Sequence, residues 1–158
     1  MALAEGTKAP ALKGPTDGGG LFDLKDARGS WVVLFFYPKD DTTVCTKEAC
    51  NFRDNMNPIT ATGTVLVGIS PDSVASHDKF KAKYDLNYPL LSDEGHAYCE
   101  TYDVWKEKSL YGHKYMGVER TTYIVNPDGI IVKTFPKVRT PKHAETVLKA
   151  LKALGAGA

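Results

Sequence analysis

A continuous apolar run at residues 32–37 restricts the possible folds of this chain more than any other feature. No polar residue alternates through the run, as it would in a strand with one face in water. The run therefore predicts a central β-strand that is covered on both faces. In the segment that follows, Thr42 or Thr43 can cap a helix extending to about residue 56. The chain thus places Cys45 where a buried strand gives way to a helix.

Strand and helix patterns alternate along the rest of the chain. Strands are predicted at residues 64–70 and 88–91, and helices at residues 74–84 and 94–102. Hairpins are predicted between residues 11–13 and 21–24 and between residues 121–126 and 130–135, with a glycine-containing loop at residues 111–119. Thr140-Pro141 is predicted to open a last helix, whose apolar face holds Val147, Leu148, Leu151 and Leu154. These elements predict an α/β domain with an N-terminal β-hairpin and a mixed central sheet flanked by helices.

Length and composition narrow the class of protein. The chain has 158 residues and no linker, so we expect residues 1–158 to form a single domain. Its net charge of +1, with mixed signs, indicates neither a nucleic acid nor an anionic membrane as a partner. Neither a secretory signal nor a transmembrane segment is evident, and three cysteines do not suit a secreted disulfide framework. We therefore expect a cytoplasmic protein with reactive cysteines.

The position of Cys45 favours a reactive thiol. The start of a helix carries partial positive charge and free backbone N–H groups, and both favour the thiolate. When a thiolate attacks one oxygen of a peroxide, negative charge spreads to the other oxygen, which fixed donors must then stabilise. The backbone N–H groups of Val44 and Cys45 are predicted to point at this substrate.

Four side chains can complete such a site. Pro38 has no N–H and can shield the sulfur from water, and the Thr42 hydroxyl can donate to a peroxide oxygen. Arg120 begins a predicted strand and can bring a guanidinium to the sulfur, where it would stabilise the thiolate and bind the peroxide. Glu48 can hold that arginine in place.

Pro38-x-x-x-Thr42-x-x-Cys45 resembles the peroxiredoxin signature, and Cys45 followed five residues later by Cys50 resembles the bacterioferritin-comigratory, or PrxQ-type, subfamily. The likeness covers nearly the whole chain and includes residues 35–41, 91–93, 104–109 and 117–122. The resemblance implies a thioredoxin-like fold, Cys45 as the peroxidatic cysteine, Thr42 and Arg120 as its activators, and no metal or other cofactor. It also implies a monomer that is recycled by thioredoxin or a glutaredoxin-like reductant. Thr43-Val44 stands where the family commonly has Pro-Gly, but only backbone N–H groups are needed there.

Cys50 is the expected resolving cysteine, which makes the helix a candidate switch. Residues five apart in a helix have Cα atoms roughly 8–9 Å from one another. A disulfide requires a Cα separation below about 7 Å, so the helix must unwind before Cys45 and Cys50 can bond. Asn51 and Asn55 are modest helix formers, which we expect to ease this unwinding.

Other functions are compatible with some of the same residues. A redox-responsive binding or holdase module could use the same disulfide switch. A thioredoxin-like disulfide reductase fits less well, since such enzymes use a two-residue spacer between their cysteines. A zinc site would need Cys99 and a histidine in addition to Cys45 and Cys50, without the usual ligand spacing. We interpret Cys99 as a structural thiol and assign no role to the histidines.

Overall fold

The central sheet is built around the apolar run. The structure is a computed structural model that describes residues 3–139 and 142–157. The strands are β1 (Lys13–Pro15), β2 (Leu21–Asp23), β3 (Trp31–Phe36), β4 (Thr64–Ser70), β5 (Leu90–Ser92), β6 (Trp105–Leu110), β7 (His113–Val118), β8 (Thr121–Val125) and β9 (Ile131–Phe135). The α-helices are α1 (Thr43–Asp54), α2 (Met56–Ala61), α3 (Val74–Tyr84), α4 (Ala97–Thr101) and α5 (His143–Ala153).

The main sheet has the strand order β5-β4-β3-β8-β9. Strand β3 pairs with β4 in parallel and with β8 in antiparallel orientation, so the sheet is mixed, as predicted. Every residue of β3 after Trp31 is buried. Its central position explains why no polar residue interrupts the apolar run.

Alternate side chains of β3 belong to two different cores, one on each face of the sheet. Val33 and Phe35 pack in the core that contains Phe52 of α1, Phe80 of α3 and Val147 of α5. The core on the other face includes Val32, Leu34, Phe36, Cys99, Tyr102 and Val104. This alternation follows from the two-residue repeat of a strand and confirms the α/β class.

Several elements agree with the sequence-based predictions. Strand β4 and helix α3 have the predicted bounds. Strands β1 and β2 form the N-terminal antiparallel hairpin, and β8 and β9 form the later one. No helix among the described residues is long and apolar enough to cross a bilayer.

The predicted loop at residues 111–119 is wrong, because β7 occupies most of it and pairs with β6 in a second antiparallel hairpin. The connecting residues Tyr111 and Gly112 both have positive φ, at 50° and 79°. Two consecutive positive φ angles are typical of the tight turns that join such strands. Tyrosine rarely adopts this conformation, so the usual sequence signal for a hairpin was absent.

The predicted helix to about residue 56 is α1, which ends at Asp54, and a second short helix, α2, follows Asn55 and was not predicted. Pro58 lies in the first turn of α2, where a missing N–H is tolerated. In α5, Val147 and Leu151 are buried as predicted, but Leu154 follows the helix and is exposed. The predicted helix opening at Thr140-Pro141 lies outside the described residues.

Candidate active site

Cys45 lies in the first turn of α1, just beneath the surface. Thr42 is the N-cap, and the Thr46 N–H donates to its carbonyl over 2.8 Å. Helix geometry leaves the preceding N–H groups, including those of Val44 and Cys45, without intrahelical acceptors. Cys45 is only 1% exposed, whereas Val44 beside it is 55% exposed. The sulfur is thus shielded from water at the positive end of a helix whose first turn is open to a small substrate.

Arg120 joins Cys45 to Glu48. It lies between β7 and β8, and its Nη2 is 3.1 Å from Cys45 Sγ. Its Nη1 donates to Glu48 Oε1 over 2.9 Å. The Arg120 carbonyl accepts from the Val138 N–H, which fixes the backbone at this point. The structure therefore brings Arg120 to two predicted residues of α1 that are distant from it in the chain.

Glu48 is buried with one carboxylate oxygen free. Its side chain is 3% exposed, and Oε2 has no hydrogen-bond partner among the described residues. Burial raises the pKa of Glu48 to about 7, and the charge and hydrogen bond of Arg120 oppose that rise. Near neutral pH this carboxyl exchanges between its neutral and ionised forms. When it is neutral, more of the Arg120 charge is available to Cys45.

The Thr42 hydroxyl already makes one hydrogen bond within the loop before α1. The Thr42 hydroxyl donates to the Lys39 carbonyl over 3.0 Å, so its single hydrogen is engaged. A peroxide O–H can donate to the lone pairs of this hydroxyl. In this arrangement the hydroxyl hydrogen of Thr42 is engaged and its lone pairs remain available to a donor. Pro38 is half-buried at the start of the same loop.

A buried network anchors the loop between β3 and α1. Asp40 accepts hydrogen bonds from the Tyr37 hydroxyl over 2.6 Å and the Ser76 hydroxyl over 2.8 Å. Its backbone N–H donates to Asp72 over 2.8 Å. His77 Nδ1 lies 2.7 Å from Asp40 Oδ2. Helix α3 and the end of β4 thus hold the loop that carries Pro38 and Thr42.

Comparison with known proteins identifies the family of this chain. Residues 6–134 match the AhpC/TSA family. The chain belongs to that family. A Coxiella burnetii protein assigned to the bcp peroxiredoxins is 46% identical over 151 residues, which cover 96% of this chain and 100% of the relative. A Bacillus subtilis peroxiredoxin Bcp is 42% identical over 152 residues, with 96% and 97% coverage.

Solved structures agree with the sequence relatives. A structure of Xanthomonas campestris bacterioferritin comigratory protein, described for the alkyl peroxide reduction of that protein, has a TM-score of 0.89 and 39% identity. It covers 96% of this chain and 99% of its own. A structure of Xanthomonas campestris peroxiredoxin Q has a TM-score of 0.86 and 42% identity, with 90% of each chain covered. This chain is accordingly a peroxiredoxin of the PrxQ type with a thioredoxin-like fold, and its class of activity is peroxide reduction.

The second cysteine of this peroxiredoxin is also in α1. Cys50 is half-buried, and burial raises the pKa of its thiol. All three cysteines are free thiols. Since Cys45 and Cys50 lie in one continuous helix, helix geometry places their Cα atoms roughly 8–9 Å apart. The disulfide therefore cannot form in the folded helix.

From the sequence, Asn51 and Asn55 were expected to ease the unwinding of α1. In the structure, both side chains instead bind α5. The side-chain amides of both residues donate to Glu145 of α5, each over 2.8 Å. Asn51 also accepts from the Ala144 N–H over 2.7 Å. On the other side, the Tyr88 hydroxyl donates to the Ala49 carbonyl over 2.7 Å. These contacts hold the second half of α1, so any unwinding should be confined to the turns before Asn51.

Cys99 is a buried structural thiol, as interpreted from the sequence. It packs in the core on the opposite face of the sheet from Cys45, so the two cannot bind one metal ion. Burial, followed by hydrogen bonding to Asp93, raises the pKa of Cys99. This geometry removes the basis for a zinc site that includes both cysteines.

The environment of His77 is not evident from the sequence. Its Nε2 lies 3.0 Å from the Leu91 carbonyl, which can only accept, so this nitrogen carries a proton. Nδ1 faces the Asp40 carboxyl group over 2.7 Å, and this contact favours the protonated imidazole. Burial alone would lower the pKa of His77, but the hydrogen bond and charge of Asp40 outweigh burial and raise it. Only the distant residues Asp40 and Leu91 reveal this state, and no local motif marks it.

We expect His77 to stabilise the fold in a pH-dependent way. Since its pKa is raised above the ordinary value of 6.5, its contribution is complete below that pH and is lost as pH rises through the folded-state pKa. His77→Gln should lower the free energy of unfolding by roughly 3 kcal/mol near pH 6.5, because Asp40 is left without its cation. Urea unfolding at several pH values should show the deficit shrinking as pH rises above 6.5.

His143→Gln provides the matched control. His143 is also buried and lies 2.8 Å from the Thr122 hydroxyl. Burial and, secondarily, the charge of Arg120 lower the pKa of His143 to about 4, so it is uncharged above neutral pH. The cost of this substitution should not change with pH in the alkaline range. A constant deficit for His77→Gln over that range would contradict the imidazolium assignment.

Proposed function

We propose that this peroxiredoxin reduces hydrogen peroxide and organic hydroperoxides through Cys45, with Cys50 as the resolving cysteine. The contact between Arg120 Nη2 and Cys45 Sγ, at 3.1 Å, supports this proposal more than any other observation. A guanidinium in this position stabilises a thiolate and has further N–H groups that can donate to a peroxide. Glu48 orients the guanidinium by accepting a hydrogen bond from Nη1.

In the first step, the Cys45 thiolate attacks one peroxide oxygen. The S–O bond forms as the O–O bond breaks, and the second oxygen leaves with the electron pair and takes up a proton. Cys45 becomes a sulfenic acid, and the products are water or an alcohol. The N–H groups of Val44 and Cys45 and the guanidinium of Arg120 stabilise the oxyanion as it forms. Thr42 accepts the peroxide O–H, and Pro38 helps to exclude water.

In the second step, the thiol of Cys50 attacks the sulfenic acid. A disulfide forms and water leaves. This step requires the first turns of α1 to open, since the Cα separation in the helix is too large. The contacts of Asn51 to α5 support an opening limited to the segment between Thr42 and Cys50, which breaks the hydrogen bond from Tyr88 to Ala49. A small movement of this kind suits a rapid catalytic cycle.

Recycling requires an external reductant. We propose thioredoxin or a glutaredoxin-like protein, whose dithiol supplies two electrons and two protons to the Cys45–Cys50 disulfide. Such reductants operate in the reducing cytoplasm, where we place the protein. We further propose that it acts as a monomer and that residues 1–158 form a single domain, so that both cysteines of the disulfide come from one chain.

A coupled assay tests this function. Reduced protein, hydrogen peroxide, thioredoxin, thioredoxin reductase and NADPH should give sustained NADPH oxidation that depends on the peroxiredoxin. Cys45→Ser should reduce it to the rate without enzyme. Absence of turnover in the unmodified protein, together with new apolar surface after oxidation, would favour the holdase alternative.

A further inference from the structure

Lys108 is a cation beside the candidate site that the proposed mechanism does not use. It lies on β6 opposite Tyr115 of β7, and Gly117 is the next β7 residue on the same face of the hairpin. A Cβ atom added to Gly117 would lie 3.4 Å from Lys108 Cδ and 3.6 Å from Cε. The lysine stem therefore runs over Gly117, toward the end of the hairpin that continues into Arg120. The missing side chain at Gly117 makes room for this path.

The burial and pairing of Lys108 differ from those of its neighbours. It is half-buried, whereas Glu107 and Ser109 on either side are exposed. Its ammonium has no ion pair or hydrogen bond among the described residues. The other two lysines of the hairpin do have partners, since Lys106 pairs with Asp103 and Lys114 with Glu107. An unpaired, partly desolvated ammonium is unfavourable unless a negative charge lies nearby.

Cys45 and Glu119 are the anions within electrostatic range of the Lys108 ammonium. Burial, followed by the positive charge of Arg120, lowers the pKa of Lys108, and the negative charges of Cys45 and Glu119 oppose this effect. The ammonium is therefore within electrostatic range of both the guanidinium and the sulfur. Arg120 already shares its charge with Glu48. When Glu48 is ionised, the two anions Glu48 and Cys45 outnumber Arg120, and Lys108 supplies a second positive charge.

We propose that Lys108 is a second cation of the peroxidatic site, which stabilises the Cys45 thiolate through its charge and without contact. This inference rests on the proposed function of Cys45. Arg120 supplies the directed hydrogen bond, and Lys108 supplies a field that favours the thiolate before attack and the departing oxyanion after it. One additional positive charge that interacts with the thiolate without contact can change the thiolate population roughly tenfold.

Lys108→Met and Lys108→Arg test the inference, with Lys114→Met as the matched control. Lys114 lies on the other face of the same hairpin and is exposed, so Lys114→Met makes the same change in net charge. The pH dependence of Cys45 alkylation by iodoacetamide, followed by peptide mass spectrometry, reports the thiolate directly. Lys108→Met should move the midpoint upward by about one pH unit and, at pH values below the midpoint, slow the first reaction with hydrogen peroxide roughly tenfold.

The two other variants decide whether charge is responsible. Lys108→Arg should restore the midpoint, and Lys114→Met should not move it. Superimposable alkylation profiles for Lys108→Met and Lys114→Met would overturn the inference. A shift that Lys108→Arg does not restore would also overturn it, since packing would then be the cause. Alkylation needs no peroxide, so failure of the proposed peroxidase function would appear separately, as unreactive Cys45 toward peroxide in every variant.

Discussion

Arg120→Met is expected to slow the first reaction with peroxide by roughly 10²–10³-fold. The substitution removes the donor 3.1 Å from Cys45 Sγ, which serves both the thiolate and the leaving oxygen. The fold should survive, because burial already raises the pKa of Glu48 to about 7 and Arg120 opposes that rise. Without the arginine, Glu48 becomes neutral and does not remain as a buried, unpaired charge. Stopped-flow measurement of a single turnover, by intrinsic fluorescence, gives the rate.

Two further variants distinguish the loss of the Arg120 guanidinium from a change in net charge alone. Arg120→Lys keeps the charge but loses the planar fork, so it should recover only part of the rate. Arg28→Met removes an exposed arginine that precedes β3, at the opposite end of the strand from Cys45, and should react at the normal rate. A near-normal rate in Arg120→Met would remove Arg120 from the chemistry.

Cys50→Ser is expected to reduce thioredoxin-dependent turnover by at least about 10²-fold, because no second thiol remains in α1 to displace the sulfenic oxygen. The variant should still consume an equivalent of peroxide at Cys45. Its trapped sulfenic acid should then be overoxidised by excess peroxide, which mass spectrometry detects as the addition of further oxygen atoms to the Cys45 peptide.

Cys99→Ala is the control for Cys50→Ser. Cys99 is buried in the opposite core and its raised pKa keeps it a thiol, so its loss should leave turnover intact if the protein remains folded. Rapid and complete recycling of Cys50→Ser by thioredoxin would show that Cys50 is not the resolving cysteine. It would also remove the need for α1 to unwind.

The site residues that belong to a local sequence motif could be predicted from the sequence. The apolar run predicts β3, and the pattern from Pro38 to Cys45 predicts a thiol at the start of a helix. Arg120 could be assigned because the thiolate needs a cation, and Glu48 because that cation needs an anion to hold it in place. The structure places both side chains where those tasks require them.

The remaining features depend on contacts that sequence patterns do not contain. The hairpin of β6 and β7 was missed because Tyr111 adopts a conformation unusual for its type, and with it the position of Lys108. His77 was overlooked because its partners, Asp40 and Leu91, are distant in the chain. Asn51, a modest helix former by propensity, instead fastens α1 to α5. In each case a tertiary contact overrides the local preference.

The central claim is that Cys45 and Cys50 act as a peroxide-driven pair, and one experiment tests it most directly. Fully reduced protein is treated with one equivalent of hydrogen peroxide, denatured, alkylated and mapped by peptide mass spectrometry. The mechanism predicts rapid formation of a Cys45–Cys50 disulfide within one chain, with Cys99 alkylated. A disulfide between Cys45 and Cys99, or three alkylated cysteines after prolonged exposure to peroxide, would contradict it.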